Sequence, residues 1–233
     1  GSFINQTATF KTLQKAFLES QPIRDPEIVI APGDPRSNGT PKLYDAQQWG
    51  KNSLILNLDT RSYRDVRLTT ATGSDDTGSR ADNPNRTLLG VTQLEWLKSQ
   101  LKTAQDAGVV WKFINITDPI DQLGAVGSGD DGGKSWMGGY RAERNNLLKY
   151  IADNKITNVV FMACDDHQGR INEVLYVPDP INNPNTYKPV PGAISIVTGP
   201  IGATGPDTYT DHSFAAIKKL SDDLATKQTA AGV

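Results

Sequence analysis

Between Thr157 and Gly169 the chain reads TNVVFMACDDHQG, an unbroken apolar run that stops abruptly at two carboxylates and an imidazole. Val159 to Ala163 shows no polar alternation, the pattern of a strand covered on both faces inside an α/β sheet. Asp165, Asp166 and His167 then emerge at the strand's carboxyl end, where open α/β sheets collect ligands and catalytic groups. An aspartate and a histidine two residues apart put a hard oxygen and an imidazole nitrogen on one side of that end, a pair suited to a divalent or trivalent cation. The bland alternative is turn chemistry, since Asp-Asp after a strand is ordinary capping material and a histidine in a polar loop commonly meets only water. The chain holds two histidines, and one falls here.

Helix-then-strand order leads into this segment twice. Val91, Leu94, Leu97, Leu101 and Ala104 predict an amphipathic helix over 91–105, ended by Gly108 and followed by a strand over 109–116. Arg144, Leu147, Leu148 and Ile151 share a face of a second helix over 140–152, followed by the strand over 157–163. Such alternation predicts parallel neighbours joined by right-handed crossovers. Upstream, 43–49 and 53–58 read as a hairpin turning through Gly50-Lys51-Asn52; downstream, 171–177 and 193–197 read as further strands. Phe10, Leu13 and Phe17 mark a first helix over 9–19 that packs one narrow face. Asp211 is placed to cap a last helix whose Phe214, Ile217, Leu220 and Leu224 face inward. The expectation is one α/β domain over 3–226 and a flexible tail over 227–233.

Charge narrows the functional classes. With 24 basic and 26 acidic residues the formal net charge is −2, and the basic residues are scattered, so no nucleic-acid-binding surface is implied. No apolar stretch approaches the roughly 18 to 20 residues that span a bilayer. The first residues lack a charged region followed by an apolar core, so no signal peptide is expected in this chain. Gly1-Ser2 reads as a cloning remnant, and the chain is expected to be a fragment of something longer. Cys164 is the one cysteine, which excludes internal disulfides and any multi-cysteine metal site.

The strand Leu54-Ile55-Leu56-Asn57-Leu58 runs into Asp59-Thr60-Arg61-Ser62-Tyr63-Arg64-Asp65, a second place where an apolar strand delivers charge to one end. The simplest reading there is an Asp/Arg pair that closes the strand and orders the loop. Residues 69–86 are polar and read as a long exposed loop. Between Asp121 and Gly139 lies a glycine-rich stretch whose Gly133-Lys134-Ser135 suggests a phosphate loop, but Ser128 stands where that motif requires glycine. A flexible loop is the better reading.

Four blocks, in order, resemble the PhoD-like family of alkaline phosphatases and phosphodiesterases: LNLDTRSYRD (56–65), LLGVTQLEWLKSQL with the later VVWKFI (88–114), SWMGGYRAERNNLLKYI (135–151) and VVFMACDDH (159–167). The resemblance implies a calcineurin-like metallophosphoesterase, a layered α/β sandwich with its N-terminal half absent, hydrolysing phosphate esters through a metal-activated water. It implies a two-metal centre of calcium and iron, with Asp165 and His167 as ligands. Arg61 could then reach the phosphate of the substrate, while Asp59, Trp136 and Arg144 would be structural supports near the site. His212, at the predicted start of the last helix, reads as a cap neighbour rather than a ligand. A periplasmic or extracellular, secreted location follows from the family, and the implied partner is the missing N-terminal half. Cys164 departs from the pattern, because the family keeps glycine before the aspartate. The rival readings are a non-catalytic binding or interaction module that kept the fold, and an inactive fragment.

Overall fold

The computed structural model describes residues 3–74, 76–127, 136–164, 166–167, 169–199 and 213–233. Among them, six strands form one mixed sheet in the order β1-β2-β3-β4-β6-β5. These are β1 (Asp45–Trp49), β2 (Ser53–Asn57), β3 (Trp111–Ile116), β4 (Val159–Ala163), β5 (Arg170–Tyr176) and β6 (Lys188–Val197). The helices are α1 (Ala8–Ser20), α2 (Val91–Asp106), α3 (Arg141–Asp153) and α4 (Phe214–Ala231). β2, β3, β4 and β6 run parallel, while β1 is antiparallel to β2 and β5 to β6.

Local chemistry sets these boundaries. The β1–β2 hairpin turns through Gly50, whose φ of 60° is open to glycine without a side-chain penalty. α2 ends in a Schellman motif, with Val109 N donating to Ala104 O (2.9 Å) and Gly108 N to Gln105 O (3.2 Å). α3 ends the same way, Ile156 N donating to Ile151 O (3.0 Å) and Lys155 N to Ala152 O (3.1 Å), but there the left-handed position is Lys155 at φ 52°.

α2 and α3 pack side by side over one face of the sheet. Leu97, Leu101, Leu147, Leu148 and Ile151 are fully buried against Leu56, Ile114, Val159 and Phe161. Each fully buried leucine or isoleucine contributes on the order of 1.5–3 kcal/mol of apolar burial. Lys112 of β3 is buried in the same layer and spends its ammonium hydrogens on Gln105 Oε1 (2.7 Å) and Thr157 O (3.0 Å). Burial lowers its pKa.

The opposite face has no such cover from the described residues. In register across it lie Ile55, Phe113, Val160 and Ile194, and beside them Asn57, Asn115, Met162 and Ile196. Trp111 stacks on Phe113, with ring centroids 6.1 Å apart. Trp111 is 43% exposed, Ile194 37% and Ile171 70%, an apolar area of the kind that folded proteins normally cover. Val160 alone in the first row is buried, which is why β4 shows the unbroken apolar run.

Two expected packings are absent. α1 buries no residue, and Leu13 and Phe17 remain exposed. α4 also buries none: Phe214, Ile217 and Leu220 face solvent. Helical spacing tells which residues share a stripe, not whether a surface exists to receive it. Ser213 caps α4, accepting from Ala216 N at 3.1 Å, and the helix continues past residue 226 to Ala231. Asp211, expected as that cap, lies outside the described residues. The segment 69–86 is less open than its composition suggests: Ala81 is buried, and Arg141 grips Asp82 (2.9 Å), Thr77 O (2.6 Å) and Gly78 O (2.7 Å). No described helix is long and apolar enough to cross a membrane.

Candidate functional site

The parallel strands deliver their last residues to one edge. At the end of β2, Asp59 does not pair with Arg61 through side chains. Its Oδ1 accepts the backbone N–H groups of Arg61 and Ser62, both at 2.9 Å, closing a tight turn. Gln93 of α2, fully buried, locks that turn from behind: its Oε1 accepts Asp59 N and its Nε2 donates to Asp59 O, both at 2.8 Å. By this geometry Asp59 orders the loop after β2. Its other oxygen, Oδ2, is buried with no hydrogen-bond partner among the described residues.

The turn presents Arg61 outward. Its guanidinium Nη1 lies 3.6 Å from Asp118 Oδ1, while the side chain remains 46% exposed and Asp118 is buried. Thr117 Oγ1 donates to Asp118 Oδ2 (2.8 Å) and is also hydrogen-bonded to Thr60. A loose, half-exposed pair of this kind contributes little to stability and leaves guanidinium donors facing solvent.

Farther along the same edge, β4 ends at Ala163, followed by exposed Cys164, partly buried Asp166 and exposed His167. Asp165, expected as a metal ligand, lies outside the described residues, as do His212 and the Gly133-Lys134-Ser135 stretch. Arg170, at the start of β5, pairs with Asp166 and with Asp121, its Nε lying 2.6 Å from Asp121 Oδ2. Asp121 is buried and also accepts from Asn172 Nδ2 at 2.7 Å.

Asp118, Asp121 and Arg170 also lie on this edge, and the sequence motifs do not single them out. The signal was available for the first two, since both follow an apolar strand just as Asp59 and Asp165 do. The stretch from Asp121 to Gly139 is expected to be a flexible loop, yet Asp121, Gln122, Trp136, Gly138 and Gly139 are all buried. Trp136 is completely enclosed and its indole N–H has no partner among the described residues. Arg144, also fully buried, donates from Nε to Ile120 O (2.6 Å) and from Nη2 to Leu175 O (2.7 Å). Both are structural supports by geometry, tying the chain after β3 to α3 and, through Arg144, to β5.

Glu143, on the first turn of α3, holds the approach to α2. It accepts from Thr87 Oγ1, from Leu88 N (2.9 Å) and from Leu89 N (3.1 Å). Burial pushes its carboxyl up to about 7 against the pull of those three hydrogen bonds. Among the described residues no group of three or more His, Cys, Asp or Glu side chains converges as a metal site would, so these residues alone do not compose a cation centre.

The fold and this edge define a mixed α/β protein whose polar and charged groups gather where the parallel strands end. The family model described as PhoD-like phosphatase matches residues 6–231, and the chain belongs to that family. Alkaline phosphatase D of Bacillus subtilis (strain 168) is 29% identical over 162 residues, covering 66% of this chain and 24% of that protein. A solved structure of PhoD matches with a TM-score of 0.63 at 24% identity, over 87% of this chain and 37% of that one, a likeness of fold. The chain thus spans about a quarter of the length of its curated relative.

Proposed function

We propose that this chain is part of a phosphoesterase that hydrolyses phosphate esters with a bound divalent cation, and that further polypeptide supplies the rest of the cation site. Membership of the PhoD-like phosphatase family supports the reaction class. The observation that carries the assignment to this edge is Arg61: a half-exposed guanidinium, held loosely at 3.6 Å by a buried carboxylate, on the edge where β4 leads into His167. A guanidinium presents several N–H donors in a plane and matches two phosphate oxygens at once. In this reading Arg61 binds and orients the ester, and Asp165 and His167 are the chain's contribution to cation binding. A cation bound there would neutralise phosphate charge and acidify a water. Calcium and iron, and a periplasmic or extracellular setting, belong to the proposal on family resemblance alone.

The sheet face that the described residues leave open would accept a further layer from that polypeptide. Trp111, Phe113 and Ile194 offer an apolar surface to such a layer.

The test is to produce the chain joined to the additional polypeptide that its longer relatives carry, and to follow hydrolysis of a chromogenic phosphate monoester and diester while titrating calcium, iron and manganese. Cation-dependent turnover that is lost in Asp165→Asn and His167→Ala, with the fold retained, is expected. Full turnover in both variants would overturn the site assignment, and a joined protein that is folded but neither binds cations nor hydrolyses either ester would favour a non-catalytic module.

A further inference from the structure

The sheet order places β6 between β4 and β5, although β6 comes last in the chain. Ala163 at the end of β4, Val197 near the end of β6 and Arg170 at the start of β5 lie side by side in register. The connection 164–169 therefore has to carry the chain over the carboxyl end of β6, a gap of two strand spacings or roughly 10 Å. His167 belongs to that crossing. An imidazole that is to meet a cation must be held in one placement, so whatever fastens the crossing beside His167 bears on it.

Arg170 fastens the crossing at Asp166. Its guanidinium is nearly buried and is shared between two carboxylates of different character. One is Asp121, itself buried, fixed from the β3 side and further held by Asn172 Nδ2 (2.7 Å) and Ser195 Oγ (3.4 Å) on β5 and β6. Toward it Arg170 uses Nε at 2.6 Å and Nη2 at 3.2 Å. The other is Asp166, the residue next to His167, which receives Nη1. The buried half of the pair anchors the guanidinium to the sheet, and the remaining donor fastens the crossing. A planar fork with donors pointing two ways can do both at once, whereas an ammonium cannot hold the same fixed geometry.

We propose that Arg170 is a positioning residue: held by Asp121, it clamps Asp166 and thereby sets where His167 stands at the carboxyl edge. The inference rests on the phosphoesterase reading for its purpose, but the clamp itself can be measured without any cation.

In the cation-free chain, amide hydrogen exchange and imidazole NMR signals report the order of the crossing directly. Asp166→Ala removes the exposed partner and leaves the buried Arg170–Asp121 pair in place. Its melting temperature is expected to stay close to the parent's while amide exchange at positions 166 and 167 accelerates by tenfold or more. Arg170→Gln is expected to produce the same loosening with a lower melting temperature, and Arg170→Lys to restore it only in part. In the protein joined to its additional polypeptide, Asp166→Ala is expected to weaken manganese binding by roughly 10- to 100-fold, the range that orienting partners of metal ligands command.

Unchanged exchange and unchanged imidazole signals in Asp166→Ala would overturn the proposal. Loosening of the crossing in Asp166→Ala, together with a joined protein that binds no manganese, would uphold the clamp and remove the phosphoesterase reading instead.

Discussion

The carboxylate of Glu143 accepts the backbone N–H of Leu88 at 2.9 Å, a bond between the first turn of α3 and the chain that leads into α2. That carboxyl is buried, and burial raises its pKa from 4.5 to about 7. With the folded value above the unfolded one, its stabilising contribution is complete below about 4.5 and is lost as pH rises through about 7. The shift corresponds to roughly 3 kcal/mol, taking about 1.4 kcal/mol per unit. Urea denaturation at pH 5 and pH 8 should show the parent losing stability across this window. Glu143→Gln should flatten the difference, and an equal slope in both proteins would contradict the assignment.

Gly90 and Lys155 predict opposite outcomes from backbone conformation. Gly90 has φ 77° and ψ 153°, a region almost confined to glycine, and an added Cβ would stand 2.9 Å from Tyr63 Cβ. Gly90→Ala should cost about 2 kcal/mol or more. Lys155 occupies the left-handed end position of α3 at φ 52°, where a side chain is a burden. Lys155→Gly should stabilise by about 0.5 kcal/mol after the extra flexibility of glycine in the unfolded chain is discounted. Thermal melting of the two variants beside the parent checks both signs.

Arg144 bridges Ile120 O and Leu175 O from a fully buried position. Arg144→Met removes these donors from the buried Ile120 carbonyl and the part-buried Leu175 carbonyl, at a cost of about 2–4 kcal/mol by the usual penalty for such groups. Arg144→Lys should recover little, because one ammonium cannot reproduce the two-sided geometry. Denaturant midpoints give the comparison, and a lysine variant as stable as the parent would contradict the bridging role.

Arg61 should behave in the opposite way. Its pair with Asp118 is loose and half exposed, so Arg61→Ala should change stability by less than about 1 kcal/mol. If the guanidinium meets substrate, the joined protein carrying this change should lose about 10- to 100-fold in kcat/KM, with Arg61→Lys intermediate, as expected for loss of one charge-assisted contact of about 1.5–3 kcal/mol. Steady-state kinetics on a chromogenic phosphate ester decides it.

Much of the sheet was legible in the residues. The run from Val159 to Ala163 marked a central strand, although among the described residues only one of its faces is covered by helices, and the helix-strand alternation through Leu97, Leu101, Leu147 and Ile151 marked the parallel core, because hydrophobic period reports on burial. The family motifs likewise pointed to the family that residues 6–231 match. Local pattern could not show that Arg61 turns to Asp118 instead of Asp59, since the partner lies just past the end of the neighbouring strand and only the parallel register brings it close. Nor could it show that Asp121 is a buried anchor and not the start of a loose loop: what decides this is Arg170, Asn172 and Ser195 arriving from β5 and β6. The exposed stripes of α1 and α4 follow from the same cause. Sequence determines which face of an element is apolar, and tertiary structure alone determines what, if anything, covers it.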